Sequence, residues 1–458
     1  MTAFVGIFMH SDAAPSVPRI NARPTDAFDI FNLKHYAGPN PYLNTAALVF
    51  DLVLLEDRRP LPVAHYLPAI GFYYPHLLEE TYLSHAHLFS RVVAEVNNLE
   101  MDLHLDNWIL KNGEGFTRIA VQSLHGRTTR EVIYTVWDWF EAMTAHEEFG
   151  LDQQLQLLQQ TFRKSVYGGP TVYALWQAAQ KRGIPTMFLW EEELVQYGYG
   201  RRQVRGAGTT FDRDSRLDSD FTTRKDDCKA FLGTLGFPVP RGHVVTRLSE
   251  ALEVAELIGY PVVVKPVAGH KGIGVTAHIL SPAELEFACD KAVDAIPLDQ
   301  PVRLIVESHI IGTDFRLLCV EGRFVAAVER HPPSVTGDGL STIQQLVAKE
   351  NASPARSDTP TSPLGKIQLD DAMSTYLAEQ NLTMESIPAP GYRVYLRKVA
   401  NLSAGGVSYD ATRTIHPDNI ILAQDIAQHF RLTCLGIDVM TTTLAKSWKD
   451  GNFGIIEI

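Results

Sequence analysis

Residues 261–275, PVVVKPVAGHKGIGV, constrain what this chain can fold into more than any other stretch. Three consecutive valines bounded by proline and glycine read as a buried β-strand. The strand delivers one charged residue, Lys265, to the edge of a turn that holds Gly269, Gly272 and Gly274. A lysine is costly to bury alone, and an anion would supply the missing partner. Glycines let backbone N–H groups come close to phosphate oxygens. His270 and Lys271 bring further positive charge to the same turn. One reading is a nucleotide-phosphate clamp. The other is a glycine-rich hairpin whose lysine snorkels to water.

At 458 residues the chain has room for two or three domains, each with its own core. A hydrophobic share of 45% and a charged share of 21% fit a globular protein and exclude a disordered one. The net charge of −12 argues against a general nucleic-acid surface, and no nucleic-acid partner is expected. Cys228, Cys289, Cys319 and Cys434 are far apart with no CxxC spacing, which disfavours a zinc site or a disulfide scaffold. A reducing cytoplasm is the expected compartment. The opening MTAFVGIFMHSDAAP lacks a basic n-region, so no signal peptide is expected. No run approaches the roughly 18 apolar residues of a membrane span.

Two domains are expected, residues 1–165 and 166–458. The first has a strand-like run at 46–55 and helix-like runs at 82–97, 129–144 and 153–164. Its scattered histidines form no HExxH pattern, and it is assigned no chemistry of its own. The second alternates helix-like and strand-like segments, an α/β rhythm. Residues 201–220 read as an exposed or ligand-ordered loop, followed by one helix from Phe221 carrying Lys225 and Lys229. The polar stretch 351–363, NASPARSDTPTSP, reads as a mobile loop.

Three further constellations accompany the clamp. In LIVESHIIGTDFR (304–316) an apolar strand ends at Glu307, and Asp314 follows a turn. Such a strand end suits adenine recognition by backbone groups, with a carboxylate accepting from ribose hydroxyls; solvated acids are the alternative. In YLRKVANLSAGG (395–406), Arg397 is a forked donor for a phosphate or an oxyanion. Asn401 and Ser403 add hydrogen-bonding groups there, and Gly405 and Gly406 permit close backbone approach; an ordinary surface turn is the alternative. CLGIDVM (434–440) and GIIEI (454–458) are short apolar strands joined by a polar turn. A hairpin would set Asp438 and Glu457 on one side, where two carboxylates plus phosphate oxygens make a Mg²⁺ site. Unrelated edge-strand acids are the alternative.

Taken in order, Lys225, Lys265 with its glycine turn, Glu307, Asp314, Arg397, Asp438 and Glu457 resemble the ATP-grasp ligases. VTGDGLSTIQQLV (335–347), RKVANLSAGG and HPDN (416–419) narrow the resemblance to the cyanophycin synthetase family and the ATP-grasp domain of bifunctional glutathione synthetases. GPNPYLN near residue 38, GGPTVYALWQAAQKRGIP (168–185) and LVQYGYGRRQVR (194–205) are also similar to cyanophycin synthetases. The resemblance implies an α/β (α+β) ATP-grasp fold with a glycine-loop lid near residues 229–300, preceded by a smaller mixed α/β domain. It implies ATP and Mg²⁺, with Lys225, Lys265, His270, Gly272 and Gly274 on the phosphates and Glu307 and Asp314 on the nucleoside. Asp438 and Glu457 would hold the metal. Arg397, Arg316 and Asn401 would be catalytic, and Ser403, Gly405 and Gly406 would shape the acceptor pocket. The implied activity is amide-bond formation to an amino acid or peptide, with aspartate as the leading candidate for the incoming amine and a homo-oligomer as the expected assembly. An ATP-binding assembly protein and a small-molecule kinase are the competing readings. The family continues into a Mur-ligase-like domain and places Asn after its last Glu; this sequence stops at Ile458.

Overall fold

The apolar run at residues 46–55 forms strand β2 (Ala47–Leu54), whose first six residues are buried. In this computed structural model the described residues are 26–55, 60–99, 108–163, 170–189, 194–267, 273–297, 299–357, 362, 364–400 and 402–458. They divide into two compact units at Gly208 and Thr209.

In the first unit β2 pairs antiparallel with β1 (Phe28–Tyr36) and β4 (Thr117–Gln122), and β3 (Trp108–Asn112) completes the order β1-β2-β4-β3. Helices α1 (Leu67–Tyr73), α2 (His85–Asn97), α3 (Gly126–Ala145), α4 (Leu151–Arg163) and α5 (Pro170–Lys181) accompany it. Ser84 starts α2 by accepting a hydrogen bond from the His87 amide, as an N-cap should. The apolar stripe of α3, with Val132, Val136 and Phe140, packs with Phe28, Phe50 and Phe89 in one aromatic core. Glu141 is buried in that helix and accepts from the Ala27 and Phe28 amides at 3.1 and 2.7 Å, so its charge is compensated. Strands β5 (Thr186–Leu189), β6 (Leu194–Tyr197) and β7 (Val204–Ala207) form a separate antiparallel set.

The second unit opens with β8 (Thr210–Phe211), α6 (Arg216–Thr222) and α7 (Lys225–Thr234). The structure differs here from the expected loop and single helix. Asp214 accepts from both the amide and the hydroxyl of Thr433, Ser215 caps α6, and the chain turns between two helices rather than forming one. These polar residues have fixed internal partners, which composition does not reveal.

Beyond α7, β9 (Gly242–Val245), β10 (Val262–Pro266), β11 (Thr276–Ile279) and β12 (Leu304–Ser308) form an antiparallel sheet in the order β11-β10-β12-β9. Helices α8 (Leu248–Ile258) and α9 (Pro282–Asp294) share its core. A second sheet joins β13 (Thr313–Val320), β14 (Arg323–His331), β17 (Val407–Asp410), β18 (Cys434–Thr441) and β19 (Phe453–Glu457), in the order β17-β14-β13-β18-β19. Helix α12 (Pro417–Gln428) packs on it. A small third core gathers β15 (Ser334–Thr336), β16 (Arg393–Tyr395), α10 (Ile343–Asn351) and α11 (Asp371–Glu379).

Candidate active site

Strand periodicity explains why Lys265 faces a cavity. Val262 and Val264 point into the core under α8 and α9 and are fully buried. Their neighbours Val263 and Lys265 therefore lie on the opposite face, where both line a cavity of about 320 Å³. The cavity walls come from both sheets of the second unit. Ala277, Glu307, Ser308 and His309 belong to or adjoin the first; Asp314, Arg330, Asp438, Met440 and Glu457 belong to the second. Lys225, at the start of α7, lines it too.

Glu307 is almost fully buried at the end of β12, across from Val263 of β10. Lys265 Nζ reaches its Oε1 at 2.7 Å, and Lys229 of α7 takes its Oε2. Burial would raise the Glu307 pKa, but Lys265 and Lys229 outweigh it and hold the carboxyl below its ordinary value. Burial, aided by repulsion from Lys265, pulls the Lys229 ammonium down to about 8.

The other acids form a second cluster. Asp438 of β18 and Glu457 of β19 are direct cross-strand partners. Lys225 lies 3.3 Å from the Glu457 carboxylate. Asp438 is opposite Arg316 of β13, which donates to its Oδ1 at 2.7 Å. Arg330 of β14 faces Asp314 and bridges it to Asp438, at 2.6 and 2.9 Å. A Cβ at Gly436 would stand 2.2 Å from Arg316 Nη2, so the guanidinium lies where only glycine leaves space. Burial pushes the Asp314 carboxyl above its ordinary range despite Arg330.

The structure thus gathers Lys225, Lys265, Glu307, Asp314, Asp438 and Glu457 around one cavity, with Arg316 paired to Asp438. Gly274 adjoins it with a positive φ of 74°, and a Cβ there would meet the Ala295 Cβ at 2.7 Å. Arg397, Gly405 and Gly406 are not among the residues lining the cavity, although Val399 of the same segment is. The Arg397 guanidinium donates to Asp370 at 2.6 Å and to the Gln368 carbonyl, and its buried Nε has no partner. Gly405 has φ of 95° and packs against the Ile367 backbone, its carbonyl accepting from Arg356 at 2.9 Å. Gly406 is buried, and Ser403 lies in the helical turn Leu402–Ala404. His270, Gly272 and Asn401 lie outside the described residues.

Sequence reasoning leaves Lys229 and Arg330 out of the site. The spacing of Lys225 and Lys229, one helical turn apart, is a signal for the first. No local signal marks Arg330, whose role comes from register alone.

Among the described residues no group of three or more His, Cys, Asp or Glu could hold a metal ion. Asp438 and Glu457 are hard oxygen donors on adjacent strands, so they fit Mg²⁺ only where phosphate oxygens and water complete the octahedron.

No family model matches the chain. It is 37% identical to a cyanophycin synthetase of Trichormus variabilis over 309 residues, 67% of this chain and 34% of the relative. Over that stretch the chain resembles cyanophycin synthetase. A bifunctional glutathione biosynthesis protein of Streptococcus agalactiae is 30% identical over 262 residues, 57% of this chain and 34% of that one. The crystal structure of a bifunctional glutathione synthetase from Pasteurella multocida matches with a TM-score of 0.47 and 28% identity, covering 72% of this chain and 47% of that one. This cyanophycin-synthetase-like chain spans about a third of the length of the curated relatives it matches. Among its described residues no helix is long and apolar enough to cross a membrane.

Proposed function

We propose that this chain is an ATP-dependent carboxylate–amine ligase that forms an amide bond to an amino acid or peptide and releases ADP and phosphate. One observation carries the reading. A single cavity between two antiparallel sheets collects Lys225 and Lys265, the acids Glu307 and Asp314, and the cross-strand pair of carboxylates Asp438 and Glu457. Names of similar proteins, a cyanophycin synthetase and a glutathione biosynthesis protein, agree with it.

A carboxylate resists attack by an amine because its oxygen is a poor leaving group. Transfer of the γ-phosphoryl group of ATP to that oxygen makes an acyl phosphate. The amine then attacks the carbonyl carbon, the C–N bond forms, and phosphate departs with the C–O bonding pair. The protein's share is positioning and charge neutralisation. Lys265 and Lys225 face the cavity where phosphate oxygens would lie. Glu307, near the end of β12, would lie beside the base, and Asp314 would accept from the ribose. Asp438 and Glu457 would hold Mg²⁺, which when bound would supply charge neutralisation at the phosphates. Arg316 lies next to that pair and neutralises the transferring group. Arg397, held by Asp370, serves the acceptor side.

Hydroxylamine as a surrogate amine tests the reading. With ATP, Mg²⁺ and a panel of amino-acid and short-peptide acceptors, a ligase yields ADP and an acyl hydroxamate in equal amounts. ADP without hydroxamate, alongside a stable phosphorylated product, would identify a kinase instead.

A further inference from the structure

We propose that Arg330 and Arg316 close the metal carboxylate Asp438 to a divalent cation until nucleotide phosphates draw them away. The proposal rests on the ligase reading of the same cavity and adds to it a coupling between metal and nucleotide binding.

Both oxygens of Asp438 are engaged. Oδ1 accepts from Arg316 at 2.7 Å, and Oδ2 accepts from Arg330 at 2.9 Å. Arg330 is also anchored on Asp314, through Nη2 at 2.6 Å and Nε at 3.2 Å. Glu457, the other candidate ligand, has Lys225 at 3.3 Å. Asp314, Asp438 and Glu457 therefore stand against Arg316, Arg330 and Lys225 in a cluster that already balances its charge.

A divalent ion arriving alone must break charge-assisted hydrogen bonds and leave guanidinium charge without an acceptor in a partly buried site. Nucleotide arriving alone brings phosphate oxygens next to carboxylates. When both arrive, the partners exchange. The carboxylates turn to the metal, and the guanidiniums turn to the phosphates. Each charge keeps a counter-charge throughout, so metal and nucleotide bind with strong mutual coupling, and by linkage each strengthens the other by the same factor. The arrangement is built into the sheet. Arg316 faces Asp438 and Arg330 faces Asp314 across the ladders, and Gly436 leaves room for the Arg316 guanidinium.

Mn²⁺ is the probe, with free Mn²⁺ read by electron paramagnetic resonance and no turnover involved. The unaltered chain without nucleotide should leave the free signal unchanged at concentrations where the Arg330→Gln chain depletes it. Losing one charge-assisted competitor should raise affinity for Mn²⁺ alone by at least roughly tenfold. Arg316→Gln, whose guanidinium is 46% exposed, should act in the same direction and serves if the Arg330 variant does not fold. Arg330→Lys, which keeps the charge, should gain less. With ATP present the unaltered chain should retain Mn²⁺ beyond what ATP alone chelates, read as Mn²⁺ that stays with the protein on ultrafiltration against a protein-free ATP control. The proposal is overturned if the unaltered chain binds Mn²⁺ alone as tightly as the variants do, or if folded variants gain nothing. If ATP fails to recruit Mn²⁺ to the unaltered chain, the ligase reading falls and takes this proposal with it.

Discussion

Glu307 sits between two ammoniums, and burial, aided by repulsion from Lys265, sets the behaviour of Lys229. Its folded pKa of about 8 lies below the ordinary lysine value, so the unfolded chain binds the extra proton between pH 8 and about 10.4. Where the unfolded state binds more protons, stability rises with pH. Lys229 should therefore add a rise in stability from about pH 8 upward. Urea midpoints measured across that window should show a smaller rise in Lys229→Met than in the unaltered chain; identical pH profiles would contradict the shift. Lys265 plays a different part, because its ammonium is turned toward the cavity as well as to Glu307. Lys265→Ala should lower ATP affinity by roughly ten- to a hundredfold, the loss of one or two charge-assisted hydrogen bonds, while thermal unfolding stays cooperative. ATP affinity equal to that of the unaltered chain would remove Lys265 from the phosphates.

Elements were legible wherever one period dominated. The valine run of β10 and the apolar run of β2 both announce strands, and the two short strands flanking a polar turn announce the β18–β19 hairpin. Asp438 and Glu457 could be put on one hairpin from sequence, but their direct pairing depends on a register shift between Asp438 and Val439 that no turn residue announces. Arg330 could not be placed, since its neighbours Asp314 and Asp438 come from β13 and β18, and nothing in a single strand specifies that ladder. The start of α6 was equally hidden, because Asp214, next to its cap Ser215, is held by Thr433 more than two hundred residues later. Two predictions belong at this scale. Gly242 of β9 passes so close to β12 that a Cβ would lie 2.5 Å from the Val306 carbonyl. Backbone cannot yield cheaply, so Gly242→Ala should cost about 1–3 kcal/mol in chemical denaturation, and an unchanged midpoint would contradict the register. Asp438→Asn and Glu457→Gln should each abolish hydroxamate formation, and the double variant should be no worse than either, as for residues acting as one unit. Mild losses that multiply in the double variant would mark two independent acids.

At the scale of the molecule, all described residues lining the cavity lie in the second unit, from Lys225 to Glu457. The likeness to cyanophycin synthetase covers 67% of the chain and 34% of that relative. In the proposed ligase, one carboxylate oxygen of the acceptor leaves as phosphate oxygen. An acceptor labelled with ¹⁸O in its carboxylate, incubated with ATP, Mg²⁺ and amine, tests this directly by mass spectrometry of the phosphate released. An acyl-phosphate ligase should transfer one ¹⁸O into inorganic phosphate for each amide formed; unlabelled phosphate accompanying amide formation would contradict the account.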